Sequence, residues 1–377
     1  MSRELLLDVT GLGAVTAVGL NAMQTAACVR AKVCGYTTRQ TLAPPEPETR
    51  CAPVPAAPRL KYDAARWLQH LAIRALSECL GPTATAQPLA LLLSIPERYR
   101  CHPAFPDGDP SSFVACLRAR LPASLVARVD VFDTGHASAF QALDTARELL
   151  TRGNVAACLI GGVDSLLNDT DLERLKSAAR LHGPDNPQGI IPGEAAVFLR
   201  FEPSARGPQI QPLARLLGVA TGVEANHALS EQFSTGEGLR DAIDKVLAMT
   251  ESAVGIGEPL ISQRFSDMNG ERYRAIEGML ASQRAYRTRR EHFEVCMPAT
   301  STGDVGAAAG YLSLLCAAMA LFRGYAAGPA VICEGASDEG LRGACVLAPA
   351  TGAPRPPFLS RHPVGAATLK HLSISAQ

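Results

Sequence analysis

The chain carries no net charge: 36 Lys and Arg residues stand against 36 Asp and Glu. With no basic run either, nothing draws it to nucleic acid or to an anionic membrane surface. C-x-x-C pairs are also missing. Its eleven cysteines are odd in number and scattered from Cys28 to Cys345, which argues against a disulfide framework and against a zinc site. Most are expected as small core residues, and no motif calls for a metal or a cofactor. The start, MSRELLLDVTGLG, has only three consecutive leucines before an aspartate, too few for a signal-peptide core, so a reducing cytoplasm is the expected setting. The longest apolar run, Gly306 to Phe322, is shorter than the ~20 residues of a membrane span and reads as a helix buried in a large soluble core.

What is present is a succession of β and α patterns. LLLDVTGLGAVTAVG reads as a strand entering a glycine-rich turn. Residues 37–59, with Pro44, Pro45, Pro47, Pro53, Pro55 and Pro58, are expected as a surface loop. Leu68, Leu71, Ala72, Ala75, Leu76 and Cys79 form the apolar stripe of an amphipathic helix, and PLALLLSI reads as a buried strand. VDVFDTGHASAFQALDTARELLTRGNVAACLIGGVD predicts a strand, a sharp turn, a helix and a second buried strand; GIIPGEAAVFLRFE predicts another strand. A second half repeats the theme, with helices at Gly238–Thr250, Glu271–Arg284 and Gly306–Phe322. Its strands are PLISQRF, FEVCMPA, PAVICEGAS and GACVLAP. The reading is an internally duplicated, layered α/β fold with halves at residues 1–203 and 204–350 and a surface tail at residues 351–377.

Four pieces in order, VTGLGAVTAVG, DTGHASAFQAL…RGNVAACLIGGVDS, GIIPGEAAVFL and TSTGDVGAAAGYLSLLCAAMAL, resemble the β-ketoacyl-acyl-carrier-protein synthases of the thiolase superfamily. The resemblance covers most of residues 5 to 350. It implies a five-layered α-β-α-β-α fold and a homodimer paired through the strand RVDVFDT. It also implies a reaction in which a cysteine at a helix start, two histidines and a lysine carry out decarboxylation and condensation.

Each of those catalytic positions is changed. The place of the nucleophile, set by its distance to Gly161 and Gly162, holds His136. No histidine lies between Ser262 and Glu291, where the first family histidine belongs; Ser266 or Asp267 is its nearest counterpart. Ala299 falls at the place of the lysine and Asp304 at that of the last histidine. Asn269, Glu271, Thr300, Thr302, Ser337 and Asp338 are expected around the same pocket.

Two readings of His136 stand side by side. In one, the ring fills a site released from catalytic demand. In the other, it is a general base, kept neutral by the positive end of the following helix, with Asp304 as its orienting partner. A His–Asp pair opposes that dipole, so the sign of the net shift is left open. Ser138, Thr300, Ser301 and Thr302 read as turn and cap residues. In SDMNGERYR, Asp or Asn is expected to cap a helix with Glu271 in its first turn. The alternative is that Asp267, Asn269 and Glu271, with Asp304, Glu334, Asp338 and Glu339, form an acidic cavity rim.

The functional expectation is a non-condensing thiolase-fold protein acting as scaffold, partner or adaptor. Its expected partners are a second copy, an acyl carrier protein, a paralogous synthase or a secreted protein cargo. The alternative is an acyl-thioester enzyme of altered chemistry (hydrolase, decarboxylase or acyltransferase) with His136 as base, and a standard synthase ranks third. Only about forty residues separate LLLSI from His136, room for one helix and one strand, so long acyl substrates are not expected.

Overall fold

Apolar strands that are covered on both faces read as unbroken hydrophobic runs, and this chain uses them to form the centre of one large sheet. A computed structural model describes residues 6–39, 48–55, 63–81, 88–121, 125–204, 211–326 and 328–350. The expected tail from Thr351, and residues 40–47 and 56–59 of the proline-rich run, lie outside the described residues.

The first half supplies β1 (Leu7–Val15), a separate two-stranded ribbon of β2 (Thr37–Arg39) and β3 (Thr49–Cys51), then β4 (Leu89–Ser94), β5 (Val126–Phe132), β6 (Ala157–Ser165) and β7 (Glu194–Pro203). The second supplies β8 (Ala214–Val223), β9 (Ile261–Ser266), β10 (Glu294–Cys296), β11 (Ala330–Ala336) and β12 (Leu341–Ala348). Helices α1 (Ala22–Arg30), α2 (Ala64–Leu80), α3 (Ser111–Arg118), α4 (Ser138–Thr151) and α5 (Asp169–Ser177) belong to the first half. Those of the second are α6 (Glu237–Val254), α7 (Arg272–Ala285), α8 (Ala299–Thr302) and α9 (Ala309–Phe322).

The sheet order is β10-β9-β11-β12-β8-β1-β7-β6-β4-β5. Leaving the ribbon aside, each half places its third, second, fourth, fifth and first strands side by side in that order. The two first strands, β1 and β8, pair antiparallel over Leu7–Val9. Duplication is therefore visible in the topology as well as in the sequence.

Three cores separate five layers. The outer face of the first half-sheet packs against α2, through Leu68, Leu71, Ala72, Ala75 and Leu76. The outer face of the second packs against α6, with α7 beside it. Between the half-sheets lie α4 and α9, each touching strands of both. Helix α9 is buried from Ala309 through Leu321, which is why it has no polar stripe. Helix α4 shows Asp144, Glu148 and Thr151 to solvent and buries Phe140, Leu143, Ala146 and Leu150 against the centre. The two helices approach closely: a Cβ on Gly310 of α9 would lie 2.6 Å from the carbonyl of His136.

Three readings of the sequence need correction. Strand β8 was not expected, because ARLLGVATGV is broken by Gly218 and Gly222. Those glycines let α6 sit on the strand, since a Cβ at Gly222 would come within 2.2 Å of the Gly238 carbonyl. Residues 37–59 are not all surface loop: both flanks pair as β2 and β3, and Cys51, Ala52 and Val54 are buried. Helices α1 and α5 were also missed, each capped by an asparagine (Asn21 and Asn168) that accepts from the backbone N–H three residues on.

Packing around Phe140 is close. A Cβ at Gly335 of β11 would lie 2.6 Å from the Phe140 ring of α4. We expect Gly335→Ala to destabilise the protein by about 1–3 kcal/mol through overpacking. Trimming the ring in Gly335→Ala/Phe140→Leu should cost less than the sum of the two single changes, as read from urea midpoints.

Candidate functional site

Gly135 adopts φ +67°, which an L side chain rarely adopts, and so turns the chain sharply after β5. His136 sits in the resulting 3₁₀ turn, Gly135–Ala137, at the head of α4 and only 7% exposed. Ser337, in the turn between β11 and β12, accepts from the Ala137 N–H at 2.9 Å and donates to the Thr134 carbonyl. The turn is thus clamped from both sides.

From the other half, Gly303 (φ +67°) turns the chain so that Asp304 enters a short backbone bridge with Pro192. His136 Nε2 donates to Asp304 Oδ1 at 2.7 Å. The same oxygen accepts from the Gly306 N–H at 2.9 Å, and Oδ2 accepts from Asn269 Nδ2 at 2.7 Å. The pairing anticipated between His136 and Asp304 is present.

Burial and the nearby Arg274 guanidinium favour a neutral imidazole, but the charge and hydrogen bond of Asp304, with Asp267 behind it, outweigh them and raise His136 to about 9. Burial alone would raise the Asp304 carboxyl as well. The imidazolium and three hydrogen bonds instead hold it well below the usual carboxylate range. The base reading expected a neutral ring, and the carboxylate reverses it: near pH 7 the site holds an imidazolium–carboxylate pair. Nδ1 of the ring is buried with no hydrogen-bond partner among the described residues.

A charge network surrounds the pair. Arg180 forks between Glu271 (2.7 and 2.8 Å) and Asp338 (2.7 and 3.1 Å). Arg274, fully inside, donates to Asp338 at 3.1 Å and lies 3.7 Å from Asp267. Asp267 accepts from the Ala336 N–H at 2.8 Å. The expected acidic rim is therefore largely compensated, with two arginines and an imidazolium facing the carboxylates of Asp267, Glu271, Asp304 and Asp338. Glu334 is bound to Arg264 and Tyr286 instead, and Glu339 is exposed.

Glu271 is the N-cap residue of α7 rather than part of its first turn, and its carboxylate goes to Arg180 and Asn269. Ser266 accepts from the Met268 N–H, a turn contact away from His136. Thr300 is exposed and donates to the Met297 carbonyl, while Thr302 bonds back to Pro298, so neither lines the cavity at His136. That cavity measures about 40 Å³, with His136, Asp304, Asp338, Asp164 and Glu97 among its lining.

Sequence reasoning missed Arg180, Glu97 and Asp164. Burial raises Glu97, and it raises Asp164 to about 7 even though the Ala307 N–H donates to that carboxylate. Asp164 had a readable signal, an acid closing an otherwise apolar strand after paired glycines. Arg180 had none.

A folded-state value above the ordinary 6.5 means that the stabilisation by His136 is complete below about pH 6.5 and is lost as pH rises through about 9. The loss is on the order of 3 kcal/mol. We expect the imidazole to titrate near 9 by NMR, and Asp304→Asn to lower that midpoint and to destabilise the protein at neutral pH.

No family model matches the chain, and no curated protein does. Solved structures do. The ishigamide ketosynthase/chain length factor is 16% identical, with TM-score 0.74, over 92% of this chain and 99% of that one. AntDE:AntF, a type II PKS acyl-carrier protein in complex with its ketosynthase bound to the hexaketide, is 15% identical, with TM-score 0.76 over the same shares. The ketosynthase from module 6 of the bacillaene synthase of Bacillus subtilis 168 is 12% identical, with TM-score 0.75, over 91% of this chain and 72% of that one. At these identities the likeness establishes the fold, which is that of the ketosynthases.

Proposed function

We propose that this chain is a non-condensing protein of the ketosynthase fold, acting as a scaffold or partner. The observation that carries the reading is the buried His136–Asp304 pair, at the turn where the family resemblance leads one to expect a nucleophile. An imidazolium whose Nε2 proton is held by a buried carboxylate neither attacks a thioester nor accepts a proton near neutral pH. The adjoining cavity of about 40 Å³ falls far below the roughly 300–1,000 Å³ of a ligand pocket. Condensation also needs donors aimed at the enolate left by decarboxylation, and Asp304 and Asp267 offer acceptors there instead. The alternative, an acyl-thioester hydrolase using His136 as base, requires a neutral ring and has less support.

Incubation with acyl-carrier thioesters should leave the intact mass unchanged and release no carbon dioxide from malonyl thioesters. His136→Cys alone should not restore turnover, because no supporting histidine or lysine returns with it. A stable acyl adduct on the unaltered protein, or turnover by that single variant, would falsify this reading.

A scaffold of this kind is proposed to act as a homodimer, with an acyl carrier protein, a paralogous synthase or a secreted protein as further partners. Among the described residues, strand β5 ends the sheet and pairs only with β4, and Val131 on it is 40% exposed. Edge-to-edge pairing of β5 between two copies covers those backbone groups. Light scattering at micromolar concentration should give a dimer mass, and Val131→Lys should shift it toward the monomer.

A further inference from the structure

Away from His136, two hollows adjoin on the surface where α1 meets α9 and β10. One, of about 600 Å³, is lined by Met23, Ala27, Met319 and Tyr325 with Arg30 and Arg323. The other, of about 550 Å³, shares Arg30 and Tyr325 and continues past Lys32 toward Phe265 and Cys316. Both volumes fall in the range of small-molecule sites.

The cations give the hollow its chemistry. Arg30, Lys32 and Arg323 are exposed, and none forms an ion pair with a described carboxylate. Arg30 lies 4.0 Å from the centre of the Tyr325 ring, and Arg323 reaches the Met23 sulfur at 3.6 Å. Both guanidinium groups act on the Tyr325 phenol, which burial nevertheless raises to about 12, so it stays a hydroxyl donor at neutral pH. Two guanidinium groups therefore flank the Tyr325 phenol, beside the apolar lining of Ala26, Ala27, Ala31 and Met319. An acidic helix spreads its charges along its length every three or four residues, and a single focus suits a single anionic group better.

We infer that the hollow between α1 and α9 binds a single-chain aliphatic carboxylate. Its head lies at Arg30, Arg323 and Tyr325, and its tail lies against Ala26, Ala27, Ala31 and Met319. Nothing in this inference depends on the chemistry of His136.

The test is calorimetric titration of the full chain with dodecanoate below its micelle concentration, alongside dodecanol and an acidic amphipathic helical peptide. Dodecanoate should bind one per chain, and Arg30→Glu/Arg323→Glu should weaken it by about tenfold or more, since charge-assisted hydrogen bonds are lost. Ala27 is exposed on α1, so Ala27→Trp should fill the trough and abolish binding while the circular dichroism and melting temperature stay those of the parent. Absence of dodecanoate binding to the parent protein overturns the inference. So does equal binding by the double glutamate variant, or dodecanol binding as tightly as the carboxylate. Tighter binding of the helical peptide than of dodecanoate makes the hollow a protein-docking surface and overturns it too.

Discussion

A charged imidazole buried to 7% exposure survives only if its counter-charge is buried with it, and the convergence of strand ends in this protein is organised around that requirement. His136 comes from the turn after β5 and Asp304 from the turn before α9, which belong to different halves of the duplication. Asn269, from the turn after β9, satisfies the second carboxylate oxygen. Ser337, from the β11–β12 turn, holds the turn that carries the imidazole. Asp338 beside it anchors Arg180 and Arg274, which keep the remaining acids neutralised. Removing one partner of such a pair typically costs 3–5 kcal/mol, because the other is left charged in a medium that cannot solvate it.

The layered fold was legible because each layer imposes a different period. Strands β4 and β6, covered on both faces, read as continuous apolar runs; α2, on the outside, reads as a stripe; α9, in the middle, reads as all apolar. Where the reading failed, close approach was the cause. The glycines that hide β8 from a pattern search are those that let α6 rest on its backbone. The β2–β3 ribbon failed for a related reason: prolines dominate the composition of residues 37–59, yet they spare the segments that pair.

The site was legible in position and partly illegible in charge. His136 and Asp304 could be placed together because the resemblance to the β-ketoacyl synthases implies which turns meet. The acids of SDMNGERYR and of the closing turn could be counted, and the count suggested a negative rim. That count omitted Arg180, which arrives from a loop with no marking pattern, and Arg274, which lies on the inward face of α7 and pairs with Asp338. Linear sequence displays charge one segment at a time, whereas electrostatics sums over whatever the fold brings within a few ångströms.

The same carboxylate therefore governs both stability and the capacity for chemistry. Asp304 holds the Nε2 proton of His136 and raises the ring to about 9, so that near neutral pH neither nitrogen, Nδ1 included, offers a free lone pair. Taking Asp304 away would free the ring to be neutral, since burial and Arg274 both push it that way. It would also strip the Gly306 N–H and the Asn269 amide of their acceptor and leave Arg274, with its already unsatisfied Nε and Nη1, one neighbouring negative charge poorer. A base could be made at this turn only by dismantling the contacts that hold it. In this ketosynthase fold the polar groups at the centre are committed to one another.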